Sequence, residues 1–318
     1  MVFSSLPFLF LFLTVVLLVS HILPFRFRNF FLLLANLVFY AYGEPVYVLI
    51  MIGSILVNFF AGLLMDKQST QGRRRAVLVV GIVLNLAALG VFKYAGLFVS
   101  TLREIPGLSS LPEVDIALPI GISFYTFQAV SYLIDVYWDD CAASHNLINF
   151  ASYISLFPQL IAGPIVRYKD VNEQLVSRRE TPTLFNSGVR LFVVGLAKKV
   201  LLANQFGMLW DAMSADPVAA GALGAWAGAC AYTLQIYFDF AGYSDMARGL
   251  GRMLGFEFCI NFNYPYISKS VTEFWRRWHI SLSTWFRDYV YIPLGGNRCG
   301  KLRQCVNILV VWALTGFW

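Results

Sequence analysis

Residues 46–65 read VYVLIMIGSILVNFFAGLLM, and the loop that follows, 66–75, carries Lys67, Arg73, Arg74 and Arg75. Twenty uncharged residues are what a helix needs to cross an apolar layer about 30 Å thick. A basic loop directly after such a run marks the cytoplasmic side. Working outward, comparable apolar stretches lie at 6–23, 30–42, 76–92, 116–137, 147–163, 184–203, 221–241 and from 305 to the end. The expected fold is therefore all-α, a polytopic bundle whose solvent is mostly lipid. Composition agrees: 58% of the 318 residues are hydrophobic, 13% are charged and 16% are aromatic, the last suiting two membrane–water interfaces.

The formal charge of +6 does not point to nucleic acid, because the basic residues sit in short loops between apolar runs. Cys141, Cys230, Cys259, Cys299 and Cys305 form no CxxC pair and no zinc-type cluster with histidine, so no metal is expected. The first 23 residues lack a basic n-region and a small-residue cleavage site, so Leu6 to Leu23 reads as a retained span.

Loop 167–180, with Arg167, Lys169, Arg178 and Arg179, is expected on the same side as loop 66–75, whereas 138–146 and 204–220 carry acids and no Lys or Arg. Counting crossings places the N-terminus outside. A full crossing by 116–137 would then put loop 167–180 on the wrong side, so this segment, broken at Leu118-Pro119-Ile120-Gly121, is expected to enter and return. A Pro-kinked helix is the alternative. The loop 94–115, with Pro106, Gly107 and Pro112, reads as a plain connection. The final run starts near Cys305 and reaches only Trp318, roughly 20 Å of helix, so the sequence is expected to stop inside a span. One integral membrane domain is expected over 1–318: N-terminal spans in 1–115, a motif-bearing part in 116–303 and a partial span in 304–318.

Chemistry concentrates in two stretches. In QIYFDFAGYSD (235–245), Gln235, Asp239, Ser244 and Asp245 end an apolar span; ionisable groups there line a cavity, pair, or cap the next helix. Ser244 or Asp245 is placed to cap a helix over 246–254, while Asp239 lies deeper. The second stretch runs from NFNYPYIS (261–268) through TEFWRRWHISLSTWFRDYVYIPLGG (272–296), within an interval 245–303 that holds nine basic residues and no clean span. As an in-plane amphipathic helix it would place Trp275, Trp278, His279, Leu282 and Phe286 on one face. Either it anchors the chain at the interface, or it carries chemistry. His279 alone of the three histidines lies amid candidate partners. A group with an ordinary pKa near 6.5 is suited to take the proton of a hydroxyl attacking a thioester and to protonate the leaving group. Asp288 is a candidate to orient the ring, and Arg287 to meet phosphates.

The segments FPQLIAGPIVRY (157–168), SFYTFQAVSYLIDVY (123–137), QIYFDFAGYSDMARGLGRMLGF (235–256), NFNYPYISKSVTEFWRRWHISLSTWFRDYVYIPLGGNR (261–298) and LTGFW (314–318) closely resemble the membrane-bound O-acyltransferase family, in its alginate O-acetyltransferase branch. The resemblance covers essentially the whole chain. It implies a multi-helix bundle with re-entrant and interfacial helices around a channel, through which acetyl from a cytoplasmic thioester such as acetyl-CoA reaches hydroxyls of an exopolysaccharide. It implies an inner-membrane location, periplasmic polysaccharide-acetylation proteins and a polysaccharide acceptor as partners besides membrane lipids, and no bound cofactor. In that branch LTGFW is followed directly by the principal catalytic histidine, which would fall just after Trp318; the given chain is then expected to be inactive or weakly active. His279 matches the family's other histidine and takes a donor-side or supporting role. Asp239, Asn263, Trp275, Arg287 and Asp288 become candidate channel or substrate-binding residues. Two other readings stand beside this: a transporter or scaffold in which 116–137 and Asp239 form a solute path, and a sister enzyme moving D-alanine to teichoic acid.

Overall fold

A computed structural model describes residues 2–105, 108–113, 116–161 and 163–316. No strand occurs among the described residues. A π-helical opening, Pro7–Phe12, leads into α1 (Leu13–Ile22), followed by α2 (Phe25–Gly43), α3 (Val48–Asp66), α4 (Gln71–Arg103) and α5 (Ile122–Tyr137). Three short helices come next: α6 (Leu147–Ser155), α7 (Phe157–Leu160) and α8 (Tyr168–Ser177). Then α9 (Pro182–Ala197) passes through a π-helical stretch, Lys198–Ala203, into α10 (Asn204–Ala215), and α11 (Pro217–Met253) follows with a break at Gly221. The last elements are α12 (Val271–Trp275), α13 (Ile280–Phe286) and α14 (Lys301–Gly316).

Val48–Asp66, Gln71–Arg103 and the continuous Pro182–Ala215 are long and apolar enough to cross a membrane, and Pro7–Ile22 is a shorter apolar helix. Large side chains such as Phe10, Leu11 and Val83 are more than half exposed, as a lipid-facing surface requires.

Several expectations need correction. The run 147–163 does not make one span: the chain leaves helical geometry at Leu156, and Pro158 opens α7, so α6 is only nine residues long. The connection expected over 94–115 is helical as far as Arg103, with Pro106 and Gly107 outside the described residues. The loop expected at 204–220 is mostly α10, since Asp211 rides on a helix surface without ending it. No helix is capped by Ser244 or Asp245, because α11 runs unbroken through both to Met253. The break at Leu118–Gly121 is present, with Gly121 at φ 78°, but nothing after it interrupts the chain, and α5 continues as a single helix and does not turn back. In LTGFW, Phe317 and Trp318 lie outside the described residues.

The chain divides into two compact units, interleaved in sequence: Met1–Pro24 with Ala162–Val166 and Val176–Thr284, and Phe25–Ile161 with Arg167–Leu175 and Trp285–Trp318. The first is built on α9 and α11. A Cβ on Gly188 would lie 2.7 Å from the carbonyl oxygen of Gly249, and one on Gly195 would lie 2.6 Å from that of Gly242. Only glycine permits this approach, and small residues are the usual means by which helices associate in lipid. In the second unit, α5 is buried on nearly every side, and Asn58 and Asn85 join α3 to α4 by a reciprocal amide pair of 3.0 and 2.8 Å.

Candidate functional site

After α11 the backbone turns at Gly255, φ 82°, and reaches Ser270 with one 3-10 turn, Pro265–Ile267, as its regular structure. Ser270 then starts α12: its Oγ accepts from the Glu273 N–H at 3.1 Å, while the Glu273 carboxylate reaches back past the cap to accept from the Lys269 N–H at 2.9 Å. The helix lasts five residues. Arg277 donates to Glu273 at 3.0 Å and to the Asn263 carbonyl at 3.2 Å, folding the end of α12 back onto 261–263. Two backbone bonds complete this clasp: Asn263 N–H to the Arg277 carbonyl and Ile280 N–H to the Asn261 carbonyl, both 2.9 Å.

His279 sits between those two rungs at φ 42°, a left-handed backbone that costs a non-glycine residue about 1 kcal/mol or more. The continuous amphipathic helix expected through WRRWH is therefore absent, interrupted at 276–279 because the clasp takes the backbone groups a helix would use. Trp278 packs on Phe274 and edge-on to Phe262, whereas Trp275 is 40% exposed.

The His279 ring is buried, 7% exposed, with Phe240 of α11 perpendicular to it at 4.7 Å and Phe262 on another side. This apolar enclosure pushes its pKa down to about 3. Its Nδ1 lies 3.1 Å from Asn261 Oδ1, and the same oxygen accepts from the Ser281 N–H at 3.1 Å and the Ser281 hydroxyl at 2.9 Å. A backbone N–H only donates, so the Asn261 atom facing it is the oxygen. His279 Nδ1 must then carry the proton, and Nε2 holds the lone pair. Among the described residues Asn261 Nδ2 is buried with no partner. The site thus presents a neutral imidazole with a fixed tautomer next to an unfilled amide donor.

Asp239 is not buried: its carboxylate is 44% exposed and lies 2.6 Å from Lys199, on the π-helical stretch after α9. Asp245 pairs with Lys198 at 2.6 Å and with Arg248 at 3.4 Å. Both acids join helices, and Ser244 is buried with an unpartnered hydroxyl among the described residues. Asn263 is exposed and contributes backbone groups to the clasp. In the second unit, Asp288 accepts from Arg167 at 3.0 Å and from Arg287 at 2.8 Å, and the Arg287 side chain is 61% exposed. The ring-orienting role expected of Asp288 is filled by Asn261. Sequence reasoning missed Asn261, Ser281 and Phe240; Asn261 was visible only as a polar residue in an aromatic run. Among the described residues, no group of three or more His, Cys, Asp and Glu is arranged to hold a metal.

Residues 139–318 match the sequence model of MBOAT, the membrane-bound O-acyltransferase family. A "probable alginate O-acetylase" of Pseudomonas aeruginosa is 48% identical over 324 residues, covering 100% of this chain and 62% of that protein. A peptidoglycan O-acetyltransferase of Helicobacter pylori is 35% identical, with 92% of this chain and 60% of the relative covered, and a teichoic acid D-alanyltransferase of Streptococcus thermophilus is 33% identical, with 63% and 51% covered. The chain thus spans less than two thirds of the length of these relatives. The apolar spans, the strained and buried histidine and a family match over more than half of the sequence agree on one assignment: the chain belongs to the membrane-bound O-acyltransferase family.

Proposed function

We propose that this chain is the acyl-transferring membrane part of an O-acetylase, moving acetyl from a cytoplasmic thioester such as acetyl-CoA to hydroxyls of an alginate-like exopolysaccharide. The reading places it in a bacterial inner membrane with its N-terminus outside, working with periplasmic acetylation proteins. Its support is the difference in identity between the acetylase relatives, 48% and 35%, and the D-alanyltransferase, 33% over a smaller share of the chain.

The observation that carries it is the His279 tautomer. In the overall reaction the hydroxyl oxygen attacks the thioester carbonyl carbon, the C–S bond breaks, and the hydroxyl proton ends on the thiolate sulfur. Burial makes the His279 ring a weaker base than the ordinary histidine expected from the sequence, so its Nε2 lone pair is suited to accept a hydrogen bond on the donor side and to relay the proton without keeping it. A histidine with so low a pKa releases a proton readily to a thiolate. Asn261 Nδ2 is suited to donate to the thioester carbonyl oxygen as it gains charge. Arg287, largely exposed, is available to a donor phosphate.

The test is transfer of labelled acetyl from acetyl-CoA to polymer by membranes holding the full-length gene product. His279→Gln should lower transfer by about 10²–10⁴-fold with the protein still inserted. Undiminished labelling would remove His279 from the reaction, and equal use of a D-alanyl thioester would favour the sister chemistry. Solute movement without thioester consumption would favour the transporter reading.

A further inference from the structure

Beside α1 lies a cavity of about 470 Å³ that the histidine site does not use. One wall is apolar, with Leu17, Leu18 and Ile22 from the end of α1 and Phe185 from α9. The other is ionic. His21 meets the Phe185 ring edge-on at 5.5 Å, and its Nε2 lies 3.7 Å from one oxygen of Glu180. Arg178 lies 3.7 Å from the other, so the Glu180 carboxylate already has a cation.

Arg252 also lines the cavity, half-buried, and takes part in none of the ion pairs among the described residues. A guanidinium in such surroundings costs free energy unless an anion joins it. The first turn of α9 opens at the same place, capped by Thr181, and adds the positive end of a helix dipole. A cation above an apolar groove matches an amphiphile with an anionic head, and Leu18 and Ile22, 59% and 80% exposed, leave the groove open to lipid.

We propose that this cavity is a binding site for one anionic glycerophospholipid, its phosphodiester on Arg252 and an acyl chain along Leu17, Leu18, Ile22 and Phe185. A small soluble anion has no use for the apolar wall. A zwitterionic lipid brings an ammonium that offsets the attraction of Arg252.

The test uses the purified protein in nanodiscs of equal phosphatidylglycerol and phosphatidylcholine, with retained lipid counted by native mass spectrometry. One phosphatidylglycerol per chain should be retained, favoured over phosphatidylcholine by about tenfold. Arg252→Gln should abolish that preference, and Arg179→Gln, at an exposed neighbour, should keep it. Leu18→Trp, which fills the groove and leaves the cation, should lower retention of both lipids, and it decides the matter if Arg252→Gln fails to fold. Equal retention of the two lipids by the unaltered protein, or a preference surviving both cavity variants, would overturn the proposal.

Discussion

Each compact unit buries a polar constellation, and the two are finished differently. In the second unit Asp135 of α5 is fully buried, and both its oxygens have a donor within reach: Lys169 donates to Oδ1 at 2.9 Å, and the single proton of the Tyr289 hydroxyl lies between the two oxygens, 2.9 Å from each. In the first unit Asn261 is as deeply buried, yet only its oxygen is used, by His279 and Ser281, and its amide donor meets nothing among the described residues. A buried charge whose partners are complete ties helices together. A buried donor left open among the protein's own groups has been desolvated without return, which a protein tolerates where a water or a ligand supplies the acceptor.

The contrast is open to four measurements. Lys169→Met leaves Asp135 without its cation and should cost about 3–5 kcal/mol of stability, read as thermal unfolding in detergent; a negligible loss would mean the carboxylate does not need its partner. Tyr289→Phe should cost less, about 1.5–3 kcal/mol, by removing a hydroxyl that donates to a charged acceptor. Asn261→Asp keeps the oxygen acceptor but sets a carboxylate beside Nδ1. It should raise the His279 pKa and move the acid limb of the acetyl-transfer pH profile upward by about one unit or more, whereas an unmoved profile would detach Asn261 from the chemistry. The fourth measurement concerns His279 in the unaltered protein. Its folded value of about 3 lies below the ordinary histidine value near 6.5, so between those limits the unfolded chain binds a proton that the folded chain refuses. Stability is complete above about pH 6.5 and declines as pH falls through that interval. His279→Gln should flatten the decline.

The fold was legible wherever it depends on apolar length. The stretches at 46–65 and 76–92 correspond to α3 and the middle of α4, and 184–203 falls within Pro182–Ala215, because crossing a membrane is a requirement on consecutive residues. What escaped were features set by contacts distant in sequence. Nothing local distinguishes an acid that ends a span from one that rides on it, so Asp211 read as loop, and Asp239 and Asp245 read as a span's end although Lys199 and Lys198 hold them along α11. Pro158 was a visible breaker inside 147–163, outweighed by the run's hydrophobicity. At the candidate site, His279 stood out in the sequence because histidine chemistry suits acyl transfer. Asn261 was not, since its pairing 18 residues away depends on a clasp closed by Glu273 and Arg277. A left-handed histidine has no sequence signature.

The glycine contacts between α9 and α11 have a mechanical consequence. Gly188 meets Gly249 and Gly195 meets Gly242, two points of backbone approach one heptad apart on both helices. Sliding α9 by one turn would press Leu191, which carries a full side chain, against a carbonyl that now has only glycine before it. The pair therefore has one seat and no neighbouring notch. Any opening of this unit must come from rocking about that seat, as a hinge pin permits rotation and forbids travel.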